Sequence, residues 1–397
     1  MTFSPTRRHV LTLAGALGAS LGFGAVMPRL ARAAGARDPR LVVIVLRGAL
    51  DGLSAVPPIG DPGYAGLRRP VADIAPVPLD GIFALHPAMP NLARQYRAGH
   101  AAIIHATATG YRDRSHFDGQ DVLESGFAAP GDTSSGWLNR FLAGVPAEQK
   151  ATLTGLSGGN LTPLILQGPA EVLGWSPANL KLGDSDLTPR LMDLYQQSDP
   201  MLANVLDEAI RTGRIASGFT GQGAAASGNH KAMVALSDGV ARLLAAPGGP
   251  RVAAIAFDGW DTHALETDRL NSLLDGLDAS LTTFETTLGP VWQDTAILVV
   301  TEFGRTAAFN GTGGTDHGTA TTAFLTGGAV RGGRVITDWP GLQPAQLYQA
   351  RDLMPTIDLR SVSKGLLADL FGAPETMLAT DIFPDSAAVR PMTGLVA

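Results

Sequence analysis

The hydrophobic positions of this chain fall into two patterns. Short, continuous apolar runs recur at Leu41–Leu46, Ala101–Ala106, Pro163–Gln167, Val252–Phe257, Ala296–Thr301 and Thr321–Thr326. Most do not alternate with polar residues, so they predict strands buried on both faces, as in a parallel sheet covered by helices. Between them, apolar residues return at helical spacing. Val234, Leu236, Val240, Leu243 and Leu244 predict a helix over Lys231–Ala246. Leu273, Leu277, Leu281 and Phe284 predict another over Leu270–Leu288, stopped by Gly289-Pro290, and Arg360–Phe371 predicts a last one ending at Gly372. Alternating strands and helices predict an α/β domain, here one layered domain over residues 34–397 with no internal repeat. Two stretches lack the rhythm. Residues 107–136 predict a lid or active-site loop, and residues 216–229, rich in Ala, Ser, Gly and Gln, predict a flexible surface loop.

The N-terminus follows other rules. Thr6-Arg7-Arg8-His9-Val10-Leu11 resembles the twin-arginine export consensus, a mildly apolar Gly- and Ala-rich run follows to Met27, and Ala31-Arg32-Ala33 offers an A-x-A cleavage site. Residues 1–33 therefore predict a twin-arginine signal peptide. The expected partner is the twin-arginine translocation machinery, the destination is the periplasm or the extracellular space, and no stable membrane span remains after cleavage. The apolar run is short against the roughly 20 residues of a membrane-spanning helix.

Charge and composition narrow the chemistry. Cleavage would remove four arginines and no acids, leaving 26 basic against 36 acidic residues. That balance argues against nucleic acid and anionic membrane surfaces as partners. With no cysteine, disulfides, thiolate metal sites and a Cys nucleophile are excluded, so a metal would need His, Asp or Glu.

The polar residues that matter follow the predicted strands. Arg47 and Asp51 follow the first run, Asp258, Asp261 and His263 a later one, and Glu302 and Arg305 the next. In open α/β sheets the carboxyl edge is where ligands bind. Two carboxylates and an imidazole in Asp258–His263 suit a divalent cation, or else a turn with Asp as a backbone cap. Asp316-His317, inside a glycine-rich stretch from Asn310 to Gly318, suits a metal, an anion or a plain tight turn. In Arg114-Ser115-His116-Phe117-Asp118, Ser115 reads equally as a helix N-cap or as a metal-activated nucleophile. His86, His100 and His105 read as anchors or core histidines.

Longer segments carry a resemblance. LVVIVLRGALDGLSAVPP, RSHFDGQDVLESG with GWLNR, FDGWDTH, DTAILVVTEFGRTAAFNGTGGTDHGTA, GGRVITDWPGL and a closing DLR resemble the bacterial family called domain of unknown function 1501. That family is similar in fold to the alkaline phosphatase and sulfatase superfamily. The resemblance implies an αβα sandwich with a mostly parallel sheet and a two-metal site, zinc among the candidates, at its carboxyl edge, with one metal, or a metal-free anion site lined by arginines, as the alternatives. It implies Asp51, Asp258 or Asp261, His263, Glu302 and His317 as metal ligands and Ser115 as the nucleophile; Asp316 and His116, beside His317 and Ser115 in the sequence, are the further candidates for a ligand and a catalytic residue. Arg47, Arg114 and Arg305 are the residues expected to clasp a small anionic ester. Arg47 stands where a first ligand acid is expected and Phe303 where a histidine is. The expected function is therefore a metal-dependent hydrolase of phosphate or sulfate esters, with a non-catalytic envelope binding or assembly module as the alternative.

Overall fold

The computed structural model describes residues 37–68, 75–131, 133–150, 152–177 and 229–397. The predicted signal segment and most of the predicted 216–229 loop lie outside the described residues.

The strands are β1 (Arg40–Arg47), β2 (Val77–Pro78), β3 (Ala84–Leu85), β4 (Ala101–Ala108), β5 (Gly155–Gly158), β6 (Val172–Trp175), β7 (Val252–Asp258), β8 (Thr295–Val300), β9 (Thr321–Thr326), β10 (Arg334–Ile336) and β11 (Ile357–Asp358). Among the described residues, nine form one sheet in the order β10-β4-β9-β8-β1-β7-β5-β6, with β11 also paired to β4. All of its pairings are parallel except those of β9, which runs antiparallel to β4 and β8. The longer helices are α1 (Pro90–Arg97), α2 (His116–Ser125), α3 (Trp137–Gly144), α4 (His230–Ala245), α5 (Glu266–Leu288) and α6 (Leu359–Phe371).

The continuous apolar strands are buried on both faces, as their pattern requires. Val42, Ile44 and Leu46 of β1 join a core with α1, α4 and α5, whereas Leu41, Val43 and Val45 join one with α3 and α6. The result is a three-layer αβα sandwich with β1 at its centre. Helix ends follow local chemistry: Asn229 and Asp358 accept from Lys231 N and Arg360 N to open α4 and α6, and Gly372 closes α6 with φ 66°.

Two sequence expectations are corrected. Pro163–Gln167 is not a strand but a 3₁₀ turn at Leu164–Leu166, because Pro163 brings no N–H for a ladder and the run is too short to show a period. The strands near it, β5 and β6, are glycine-bearing and lack a strong apolar signal. Residues 107–136 are not all loop. They contain α2, whose mixed faces hide its periodicity.

Candidate metal centre

Because β9 is antiparallel, its first residue lies on the same rim of the sheet as the carboxyl ends of β1, β4, β7 and β8. The whole segment from Thr301 to Ala320 therefore runs along that rim. It meets the loop after β7 and the head of α2, which follows β4. Two glycines allow the close approach. At Gly48 (φ 119°) a Cβ would fall 2.5 Å from Asp261 N, and at Gly314 one would fall 2.4 Å from the His263 carbonyl.

Three histidines from three segments surround Asp261. His263 Nε2 stands 3.0 Å and His317 Nε2 3.3 Å from Asp261 Oδ1, and His116 Nε2 stands 3.5 Å from Oδ2. His263 Nε2 and His317 Nε2 are 3.0 Å apart. On its other ring nitrogen each histidine has an acceptor. His116 Nδ1 donates to Glu302 Oε1 (2.8 Å), His317 Nδ1 to the Arg114 carbonyl (2.9 Å) and His263 Nδ1 to Asp316 Oδ1 (3.2 Å). These bonds assign the proton to Nδ1 and turn the Nε2 lone pairs toward one carboxylate. A hydrogen-bond acceptor on the far ring nitrogen is how metal-ligating histidines are oriented.

The donor set fits a divalent cation. His116, Asp261 and His317 each offer a ligand atom within 4.8 Å of the others. His116 Nε2 is buried with no hydrogen-bond partner. Two imidazole lone pairs 3.0 Å apart repel unless a proton or a cation lies between them. Ligands at about 2.0–2.1 Å from a tetrahedral zinc would stand about 3.3 Å from one another, close to the spacing around Asp261.

Electrostatics separates the groups. The bond from Glu302 raises the His116 imidazole above its ordinary pKa, whereas burial lowers that of His317. Burial alone would raise Glu302, but His116 and the Gly48 N–H (2.9 Å to Oε1) hold it below the usual range. Asp261 is likewise lowered against the effect of its burial, chiefly by Arg305, whose Nη1 donates to Oδ1 at 2.8 Å. Asp316 is lowered first by the side-chain bond from Asn310.

The other residues singled out from the sequence are placed as follows. Glu302 is fully buried and orients His116. Asp316 does the same for His263. Asp51 is not brought to the cluster: its carboxylate pairs with Arg68 at 2.7 Å in a separate buried network. Asp258 ends β7 opposite Arg47 in register, at an exposed position, and partial loss of hydration raises its carboxyl above the usual range. Arg47 pairs with Glu124 (2.8 Å), and its Nε is buried without a partner. Arg114 is held by Asp352 (2.8 Å), and its φ of 64° aims its carbonyl at His317. Ser115 occupies the N-cap position of α2, but its side chain makes no capping bond. Arg305 is buried, with Nε and Nη2 lacking acceptors.

Sequence reasoning gave Phe303 another part and missed Gln120 and Asp352. Phe303 stacks on His116 (centroids 5.0 Å apart) and leans on His317 (5.3 Å), so the residue read as a lost ligand is the apolar wall of the cluster. Gln120 donates to Glu302 Oε1 at 3.2 Å, and its place one turn after His116 on α2 was the available signal. Nothing in the sequence links Asp352 to Arg114.

A family model described as "Protein of unknown function (DUF1501)" matches residues 80–377. Comparison with curated protein sequences returns no match. Among solved structures, the fold is similar to an alkaline phosphatase superfamily protein from Vibrio parahaemolyticus, with 13% identity, a TM-score of 0.39 and coverage of 84% of this chain and 72% of that one. It is also similar to the alkaline phosphatase of the Antarctic bacterium TAB5, with 12% identity, a TM-score of 0.37 and coverage of 75% and 94%. A phosphonate monoester hydrolase of Agrobacterium radiobacter aligns with 11% identity, a TM-score of 0.35 and coverage of 85% and 74%.

Proposed function

Since this chain belongs to the DUF1501 family of proteins of unknown function, its activity has to be argued from its own site, and we propose that it is a metal-dependent hydrolase of phosphate or sulfate esters. One observation carries the reading: three imidazoles, each tied at Nδ1, turn Nε2 toward the single carboxylate of Asp261. His116, Asp261, His263 and His317 would hold the cation. Imidazole with carboxylate suits zinc among the divalent metals. Such an ion supplies Lewis acidity and neutralises charge developing on the transferred group.

The chain's own residues supply the rest. Arg305 directs one nitrogen at Asp261 and keeps two buried nitrogens, Nε and Nη2, without acceptors, which favours an anionic oxygen beside the cluster. Arg47, with a buried unpartnered Nε, adds positive charge at the adjoining strand end. Arg114 is engaged by Asp352, so its part is to orient His317 more than to clasp an ester. Ser115 precedes His116 and keeps its hydroxyl out of capping, which suits a nucleophile. Glu302, Phe303 and the Arg114 carbonyl keep the rings in place.

In this reading the protein works outside the cytoplasm. Residues 1–33 act as a twin-arginine signal, and residues 34–397 form one domain. No helix among the described residues is long and apolar enough to cross a membrane. N-terminal sequencing of the exported protein should begin near Ala34.

The test is elemental analysis of the purified protein, with assays on aryl phosphates, phosphodiesters and sulfate esters. About one divalent ion per chain and turnover of one ester class are expected, with His263→Ala and His317→Ala each lowering occupancy. Absence of metal after reconstitution with zinc, manganese or cobalt would overturn the reading. Bound metal without turnover of any ester would favour a binding module instead.

A further inference from the structure

Behind the histidine cluster lies a second buried polar network, which the proposed chemistry does not use. Arg68 Nη1 donates to Asp51 Oδ2 (2.7 Å) and Ser54 Oγ (2.8 Å) and stands 3.8 Å from Glu266 Oε1. Its Nε and Nη2 donate to the Ala307 and Thr306 carbonyls, both at 2.7 Å. The Ser54 hydroxyl donates to Glu266 Oε1 at 2.8 Å. Glu266 Oε2 then takes two threonines, Thr315 Oγ1 at 2.6 Å and Thr262 Oγ1 at 3.3 Å. Arg68, Asp51 and Glu266 are all buried, with exposures of 0–1%. A polar network at this depth is stable only when its donors and acceptors match.

Those two threonines are the link to the site. Thr262 immediately precedes His263, and Thr315 immediately precedes Asp316. His263 and Asp316 are the pair bonded at 3.2 Å. The backbones are joined as well: Thr315 N donates to the Thr262 carbonyl (3.2 Å), and Glu266 N donates to that of Gly313 (2.9 Å). One carboxyl group thus holds from behind both chain segments that carry the histidine and its acceptor.

Donor counting sets the protonation of that group. Thr315 has a single hydroxyl hydrogen and two carboxyl oxygens in reach, Glu266 Oε2 and Asp51 Oδ2, the latter at 3.0 Å. If Thr315 donates to Asp51, which Arg68 keeps ionised, the 2.6 Å contact needs a hydrogen on Glu266 Oε2. The charge count agrees, since one guanidinium balances only one of two buried carboxylates. Burial and the neighbouring Asp51 charge push Glu266 up to about 7.

We infer that Glu266, held by Asp51 and Arg68, is a positioning residue that sets His263 against Asp316 and so presents the His263 imidazole to Asp261. The inference rests on the metal reading above. Asp51 serves the centre through this chain of contacts and not as a ligand.

The test titrates the purified full chain with cobalt(II), reading affinity by calorimetry and coordination by the visible spectrum. Glu266→Ala is expected to weaken cobalt binding about tenfold and to alter the spectrum, the range typical of groups that orient metal ligands. Glu266→Gln, whose amide N–H can replace the acid hydrogen, should restore both to within about twofold, because the bond to Thr315 survives. Asp278→Ala removes another buried carboxylate of α5, which accepts from Asn91 N and Leu92 N, and should cost stability without changing cobalt affinity. A folded Glu266→Ala protein with wild-type affinity and spectrum would overturn the inference. If that variant does not fold, Thr262→Val with Thr315→Val leaves the charges in place and is read the same way. Failure of the wild-type protein to bind cobalt sinks the metal reading, and this inference with it.

Discussion

His116 donates from Nδ1 to Glu302 Oε1 across 2.8 Å, and the bond leaves His116 Nε2 buried, unpartnered and 3.5 Å from Asp261. Glu302 comes from the residue pair after β8 and His116 from the first turn of α2, so the contact ties the helix to the sheet rim. The same Oε1 also accepts from the Gly48 N–H, which brings in the loop after β1.

Glu302→Gln should weaken metal binding by about 10–100-fold while leaving the four proposed ligands untouched. The neutral amide is a weaker acceptor for the imidazole N–H. Stability should fall by about 1–3 kcal/mol, since charge-assisted bonds are lost in a dry site. Calorimetric metal titration and denaturant unfolding check the two effects separately, and an unchanged metal affinity would count against the orienting role.

Gly48→Ala should be among the most damaging single changes at the rim. The new Cβ would meet Asp261 N and the Trp260 carbonyl carbon at 2.5 and 2.9 Å, in a backbone region (φ 119°) closed to other residues. A loss of roughly 2–4 kcal/mol is expected, with reduced metal occupancy because Asp261 must move. Urea unfolding of the metal-free protein gives the first, and elemental analysis the second.

Asp352→Ala should reach the histidine cluster from a distance. It releases Arg114, whose backbone carbonyl accepts from His317 Nδ1. A fully buried pair loses about 3–5 kcal/mol on truncation, but Arg114 keeps 21% of its side-chain exposure, so about 2 kcal/mol is expected here. A looser His317 should also weaken metal binding several-fold, which calorimetry would detect.

Acid stability should carry the signature of His105. Its Nε2–H donates to the Val56 carbonyl (3.0 Å) while Nδ1 accepts from Ala106 N (2.8 Å), an arrangement open only to the neutral ring, and burial pushes its pKa down to about 4. Between the unfolded value near 6.5 and the folded value, the unfolded chain binds the extra proton, so stability falls as pH falls through that window. The full effect is on the order of 3 kcal/mol. Subtracting the unfolding curve of His105→Gln isolates it, and a difference independent of pH from 4 to 6.5 would refute it. Glu266 has the opposite sign: its contribution is complete below about 4.5 and is lost as pH rises through about 7, so Glu266→Gln should flatten that limb.

Much of this architecture was legible in the residues. The strands β1, β4, β7, β8 and β9 and the helices α4, α5 and α6 follow from apolar runs and helical spacing, because burial on two faces or on one stripe demands those patterns. β5 and β6 were not legible, since Gly155, Gly158 and Gly174 weaken the strand signal, and of α2 only the start was, through Ser115 as an N-cap, because the helix exposes Phe117 while burying Gly119 and Glu124 and so shows no apolar stripe.

For the site, sequence alone determined which residue types lie just past strand ends, and it excluded sulfur ligands outright. Only the tertiary structure decided their partners. Asp51 and Glu302 both stand within four residues of the ends of neighbouring strands, yet Asp51 turns to Arg68 and Glu302 to His116. Local sequence sets backbone periodicity and where a loop begins. Which imidazole meets which carboxylate depends on strand order and on the antiparallel entry of β9, contacts between residues as far apart as His116 and His317 that no local pattern encodes.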